Sequence, residues 1–267
     1  MEDELEGGIG MKSGQYCYRC GEPATSREHV PPKCLFPEDK DIRPVLNQSF
    51  REHLITVPSC YKHNLSKSND DEYLMTCLAG KVGNNGVAYV HTKTKVARTI
   101  KRAPSLLDVK QEDILEFNDT KFPILMVKVE NQRLINSFES IARALYFHEY
   151  SIQFKGKCMI ISKIFIHPED EKSKKFLIKS TTMIEQEIPY WKTEIKGYNP
   201  KIFTYQFNPK DDFGTQTIAL TFYENTVIYA ILSKFDKKKV DSLKTLYQVC
   251  DEVHIPNKFS GETMQIK

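Results

Sequence analysis

The 267-residue chain has one Trp, no long apolar run and no excess of one charge, and each shortage excludes something. A membrane-spanning helix needs about 20 consecutive apolar residues. The longest apolar stretches here, such as Met159 to Ile161, are strand-sized. With 38 Lys+Arg against 35 Asp+Glu the net charge is only +3, so overall charge says little about nucleic acid and any basic surface must be local. The 12 Gly and 13 Pro follow no period, which excludes collagen and low-complexity disorder, and no internal repeat is visible. A chain of this size with 40% apolar residues can bury a core. The N-terminus, beginning Met1-Glu2-Asp3-Glu4, is acidic where a secretory signal is basic and then apolar, so no export is expected and a cytoplasmic location is predicted. In that reducing setting the 7 cysteines read as metal ligands or buried thiols, and an odd count fits this better than disulfides.

Composition divides the chain. Residues 1–14 are acidic and short of apolar anchors, which predicts a disordered tail. Residues 15–90 read as one loop-rich unit ending in a helix, in which Tyr73, Leu74, Cys77 and Leu78 recur at helical spacing. Ser68 with Asp71 suggests a capping box, and Gly80 a stop. Residues 91–110 read as a basic linker and 111–267 as an α+β accessory or regulatory domain with a mainly antiparallel sheet. Its expected elements are strands at 124–129, 159–166, 202–207, 217–223 and 227–232 and helices at 134–147 and 173–187, with Glu224 and Asn225 forming a tight turn. Ile135, Phe138, Ile141, Ala142 and Leu145 fall on one face of the first helix, the pattern of a core-facing helix.

Two knuckles carry the chemistry. Cys17-Tyr18-Arg19-Cys20 and Cys60-Tyr61-Lys62-His63, roughly forty residues apart, each place two soft donors on one tight turn. Four such donors meet the tetrahedral preference of zinc, and a second knuckle at finger-like separation is a far stronger signal than one. Cys34 has no neighbouring donor and reads as a buried thiol. Between the knuckles stand Glu28 and His29, followed by Val30-Pro31-Pro32, and Asn64 comes directly after the second knuckle. A metal clamp on the knuckles would draw the Glu28-His29 loop and the start of the last helix together.

In this order the motifs resemble the HNH endonucleases, the zinc-knuckle branch of the ββα-metal nucleases. The resemblance covers about residues 17–75, roughly a fifth of the chain. It implies a ββα finger holding a catalytic Mg²⁺ or Mn²⁺ and hydrolysing DNA to 5′-phosphate and 3′-hydroxyl ends. Carried over by position, His29 takes the place of the general base, Glu28 that of the metal-binding acid and Asn64 that of the second ligand of the catalytic ion. Cys17, Cys20, Cys60 and His63 take the place of the structural zinc ligands. Glu28 stands where Asp is usual and His63 where Cys is usual; the middle Asn that normally props the histidine loop is either replaced by His53 or absent, which leaves the propping hydrogen bond to His53 or to a backbone carbonyl.

These residue types suit the reaction. A hard cation on carboxylate and amide oxygens neutralises a phosphodiester, while thiolates select zinc, so the two sites take different metals. A neutral imidazole takes a proton from water near neutral pH. The run Lys93, Lys95, Arg98, Lys101 and Arg102 contains no acid and reads either as a phosphate track or as a solvated helix face. His91 stands in the same run, where a phosphate contact is one reading. Lys67 divides evenly between phosphate contact and helix solvation. No base-reading motif is visible, and RNA stays open as a substrate beside DNA. His148, His167 and His254 have no companions and read as structural or exposed. Trp191, Tyr198, Phe203 and Tyr205 read as buried core before partner surface. The alternative function is a catalytically decayed zinc-finger module that binds nucleic acid, with residues 111–267 sensing a ligand or self-associating. By family analogy alone, the active form suggests defence against phage or mobile DNA, with a regulatory partner or homo-oligomer acting through the C-terminal part.

Overall fold

Two four-residue strands, β1 (Ser26–His29) and β2 (Thr56–Ser59), pair antiparallel with Glu28 opposite Val57 and His29 opposite Thr56. The computed structural model describes residues 16–166, 170–211 and 214–234, together with the pairs 255–256 and 263–264. The tail expected over 1–14, His167 and His254 lie outside the described residues. Between β1 and β2 lies helix α1 (Asp39–Leu46), anchored by buried Ile42. After β2 come the 3-10 turns Tyr61–His63 and Leu65–Lys67, then helix α2 (Ser68–Ala79), which buries Tyr73, Leu74, Met75 and Leu78. No side chain caps α2, because the turn Leu65–Lys67 runs directly into it and Ser68 is already helical. This corrects the expected capping box.

The stretch read as a basic linker is mostly helix. Helix α3 (Gly86–His91), a π-turn (Thr92–Val96) and helix α4 (Ala97–Arg102) follow one another without a break. The Asn85 side chain caps the start by accepting from the Ala88 amide at 3.1 Å. Val87, Ala88, His91, Val96 and Thr99 are buried, so one side of the run packs against the protein. His91 is 0% exposed, which removes it from the surface.

Strands β3 (Asp108–Phe117) and β4 (Thr120–Lys128) form a hairpin closed by Asn118 and Asp119, both at positive φ (46° and 59°), as a primed two-residue turn requires. Helix α5 (Asn131–Tyr150) follows, burying Leu134, Phe138, Ile141, Ala142 and Leu145. Then come β5 (Lys157–Ile161), helix α6 (Glu171–Glu187), β6 (Lys196–Asn199), β7 (Phe203–Phe207), β8 (Gln216–Phe222) and β9 (Thr226–Ser233). These five strands make one antiparallel sheet in the order β5-β9-β8-β7-β6. Mixed helix and antiparallel sheet were thus legible in the sequence.

Strand alternation divides the sheet's two faces. Ile218, Leu220 and Phe222 of β8 join the large core with Phe138 of α5, whereas Ala219 and Tyr229 pack with Leu177 and Ile184 of α6. The large core runs unbroken from Tyr18, Val30 and Leu35 into Ile228 and Leu232, so the knuckle region and the sheet share one apolar interior. The β8–β9 connection takes three residues, with Tyr223 and Glu224 at positive φ (47° and 66°), instead of the expected Glu224-Asn225 turn. Tyr223 is drawn into the core, where its hydroxyl donates to the Leu35 carbonyl at 2.7 Å. Phe203 and Tyr205 are buried, and Tyr198 is 73% exposed.

Candidate metal centre and nucleic-acid site

Each knuckle is a backbone turn that aims its donors inward. In the first, the Cys17 amide donates to Glu22 at 2.7 Å and the Gly21 amide to Cys17 at 3.0 Å, a turn in which Gly21 takes φ +78°. In the second, the amides of His63 and Asn64 both donate to the Cys60 carbonyl at 3.1 Å. The ligand atoms of Cys17, Cys20, Cys60 and His63 all lie within 4.8 Å of one another. Cys20 Sγ stands 3.7 Å from Cys60 Sγ, and His63 Nδ1 stands 3.3 Å from Cys60 Sγ and 3.5 Å from Cys17 Sγ. A tetrahedron with metal–sulfur bonds of about 2.3 Å has sulfur–sulfur edges of about 3.8 Å and slightly shorter sulfur–nitrogen edges. The cluster therefore has the donor set and spacing of a metal site.

Proton affinities follow from this crowding. Burial raises that of Cys17, but the amides of Cys20, Arg19 and Cys60 outweigh it and leave the thiol below its ordinary value. Burial, reinforced by the neighbouring Cys17 and Cys60 sulfurs, pushes Cys20 up to about 11. Burial, then Arg19, Lys62 and Lys67, hold His63 below its ordinary value. A bound cation relieves this competition between adjacent thiols.

On β1, alternation sends Ser26 and Glu28 to one side of the strand and Arg27 and His29 to the other. Glu28 is 5% exposed. It forms an ion pair with Lys67 and accepts from Tyr18 Oη at 3.5 Å and Ser59 Oγ at 3.3 Å. Burial raises its proton affinity, and Lys67 opposes the rise. Asn64 Nδ2 donates to Ser26 Oγ at 2.8 Å and to the Arg27 carbonyl at 3.3 Å, which fixes the amide against the same strand. His29 ends β1, half-buried, with its affinity lowered by burial and then by Lys33 and Arg51. The structure thus joins the four knuckle ligands, sets Asn64 on β1 and pairs Glu28 with Lys67. It points His29 away from Glu28.

His53 does not prop the His29 loop. It is exposed at φ 52°, with its ring 5.4 Å from that of Tyr198. The loop is held instead at three consecutive carbonyls. His91 Nε2 lies 3.1 Å from Cys34 O, Tyr223 donates to Leu35 O, and Arg51 donates twice to Phe36 O at 3.0 and 2.9 Å. Cys34 is half-buried, with its thiol on Asp71 O at 3.2 Å and its proton affinity pushed by burial up to about 12.

The basic run is largely neutralised by the protein's own acids. Arg98 grips Asp41 through two bonds of 2.9 and 2.6 Å, Arg102 meets Glu72 at 2.6 Å and Lys95 lies 3.3 Å from Glu38. Lys40, then Lys95 and Arg51, hold the Glu38 carboxyl at about 2. Lys93 lies 5.6 Å from the centre of the Tyr89 ring, and Lys101 is exposed. Comparison of the chain with protein-family models, curated proteins and solved structures returns no match. Among the described residues no helix is long and apolar enough to cross a membrane.

Proposed function

We propose that the chain is a metal-dependent endonuclease of the HNH type, acting on DNA phosphodiesters. The observation that carries this reading is the Cys17-Cys20-Cys60-His63 cluster with Asn64 directly after it, whose amide bonds to the strand bearing Glu28 and His29. Cys17, Cys20, Cys60 and His63 would hold a structural zinc. Glu28 and the free amide oxygen of Asn64 are hard donors suited to Mg²⁺ or Mn²⁺, and the Lys67 ammonium already occupies a cation's place beside Glu28. When bound, such an ion supplies charge neutralisation at the phosphate. His29, neutral near pH 7, takes the proton of the attacking water. Asn64 is oriented by Ser26 and the Arg27 carbonyl. A nuclease without base readout needs restraint in its host, and defence against invading DNA is the setting we propose for it.

Plasmid cleavage in Mg²⁺ and Mn²⁺ tests this. His29→Ala and Asn64→Ala should each lose at least ~10²-fold in rate, the first with unchanged melting and the second with a loss of about 1 kcal/mol for the bonds to Ser26 and the Arg27 carbonyl, and wild-type rates in both would sink these roles. One observation favours a second reading: both Glu28 oxygens are engaged, by Lys67, Tyr18 and Ser59. On that reading the chain is a zinc-stabilised nucleic-acid binding module, which would bind DNA and cut in no divalent metal.

A further inference from the structure

The cations that sequence assigns to nucleic acid are mostly paired within the protein, and a second basic group elsewhere has no acid partner among the described residues. A cleft of about 390 Å³ lies between α5 and the edge of the sheet, lined by Glu139, Arg143, Lys155, Lys157, Cys158 and Lys234. Lys155, Lys157 and Lys234 are exposed, and none of them pairs with an acid among the described residues. Lys157 lies opposite Ser233 in the β5–β9 ladder, which brings Lys234 to the same end of the sheet although the two lysines are 77 positions apart in the chain.

The floor of this cleft is rigid. Arg143 donates to the carbonyls of Phe154 and Gly156 at 2.7 and 2.9 Å and to Glu139 at 2.8 Å, which fixes the backbone between Lys155 and Lys157. A Cβ at Gly156 would fall 2.3 Å from the Ser233 carbonyl, so the two chain segments are in close contact there. The cleft also adjoins the first knuckle. Arg19 donates to Ser140 Oγ at 2.7 Å and lies 3.6 Å from Glu139, while Gln153 donates to the Arg19 carbonyl. Among the described residues, the cleft and its rim thus carry five cations, Arg19, Arg143, Lys155, Lys157 and Lys234, and one carboxylate, Glu139, which pairs with Arg19 and Arg143.

We propose that this cleft binds backbone phosphates of duplex DNA, as a sequence-independent clamp beside the finger; the choice of DNA rests on the function proposed above. A concave group of lysines with no acid partner among the described residues, on a rigid floor, favours a polyanion whose charges repeat, and phosphate contacts of this kind give affinity without base readout. A competing explanation exists for Lys157, because β5 is an edge strand and lysine guards edges against pairing. Glutamate guards an edge equally well, so charge reversal separates the two explanations.

The test uses the full zinc-loaded chain without Mg²⁺ or Mn²⁺, and a short labelled duplex followed by fluorescence anisotropy across about 50–200 mM salt. Lys155→Glu/Lys157→Glu/Lys234→Glu should weaken binding by roughly 10- to 10²-fold and lower the log–log salt slope by about 2–3. Lys93→Glu/Lys101→Glu, on the helical run, should change affinity less than about 3-fold. If the triple reversal does not fold, the three Lys→Gln changes read the same slope. Unchanged affinity in the triple variant, or no duplex binding by the wild type, overturns the clamp. Cleavage assays on the same proteins keep the readings apart. A wild type that binds through the cleft and cuts in no metal leaves the clamp standing and removes the nuclease, whereas equal cutting and binding by wild type and triple variant do the reverse.

Discussion

The sheet and the knuckle region share an interior but are stabilised by different means. In the sheet, Phe203, Phe222, Ile218, Leu220, Ile228 and Leu232 are buried on one face and Tyr229 on the other, so burial of apolar area accounts for its order. Residues 16–67 have two four-residue strands, one eight-residue helix and short turns. Polar contacts take the place of regular structure there: four convergent ligands, the Glu28–Lys67 pair and the anchored carbonyls of Cys34, Leu35 and Phe36. Polar scaffolding can be switched off chemically, whereas an aromatic core cannot.

Metal removal is the largest expected effect. Structural zinc in small fingers carries about 10–16 kcal/mol of apparent binding energy at neutral pH. Stripping the metal should abolish amide protection through residues 16–67 while β7, β8 and β9 stay protected, as read by hydrogen exchange with the metal content measured in parallel. Protection that persists in residues 16–67 at zero metal would erase the contrast.

Next comes Lys67→Met. It removes the counter-charge of a carboxylate that is 6% exposed while retaining most of the apolar stem. An uncompensated buried charge costs about 3–5 kcal/mol. Its sign with pH is fixed. Glu28 already has a raised proton affinity and rises further without Lys67, so the folded state holds its proton to higher pH than the unfolded state does. The loss should therefore be absent well below the reference value of 4.5 and grow as pH rises above it. Denaturant midpoints at acid and neutral pH measure this, and Glu28→Gln added to Lys67→Met should recover most of the loss. An equal loss at both pH values would show that Lys67 acts by packing alone.

Local patterns were readable in the sequence, and non-local partners were not. The knuckles, the core face of α5 and the strands β7 to β9 follow from spacing alone, because each is fixed by neighbours a few residues away. The helical run at residues 86–102 was masked by five cations that resemble a linker until Glu38, Asp41 and Glu72, the partners of Lys95, Arg98 and Arg102, come into view. The supports of the His29 loop were equally hidden. His53 lies near the loop in sequence yet packs at a tilt against Tyr198, whereas Tyr223 lies 188 residues from the carbonyl it binds. The lysine cleft was invisible for the same reason, since the β5–β9 register alone brings Lys157 and Lys234 together.

Tyr223→Phe is the smallest and most exacting test, because it touches both regions through one bond. The ring stays, so no cavity forms, and Phe meets the same backbone strain at φ +47° as Tyr. What goes is the donor to a buried carbonyl at Leu35, a loss of about 1–3 kcal/mol. If the sheet positions the histidine loop, the Leu35 and Phe36 amides, which close the turn on Pro32 and Lys33, should exchange faster in the variant. Residues within β8 and β9 should then keep wild-type protection. Should exchange at Leu35 and Phe36 stay unchanged, the anchors His91 and Arg51 hold the loop unaided, and the sheet supports the knuckle region through apolar contact only.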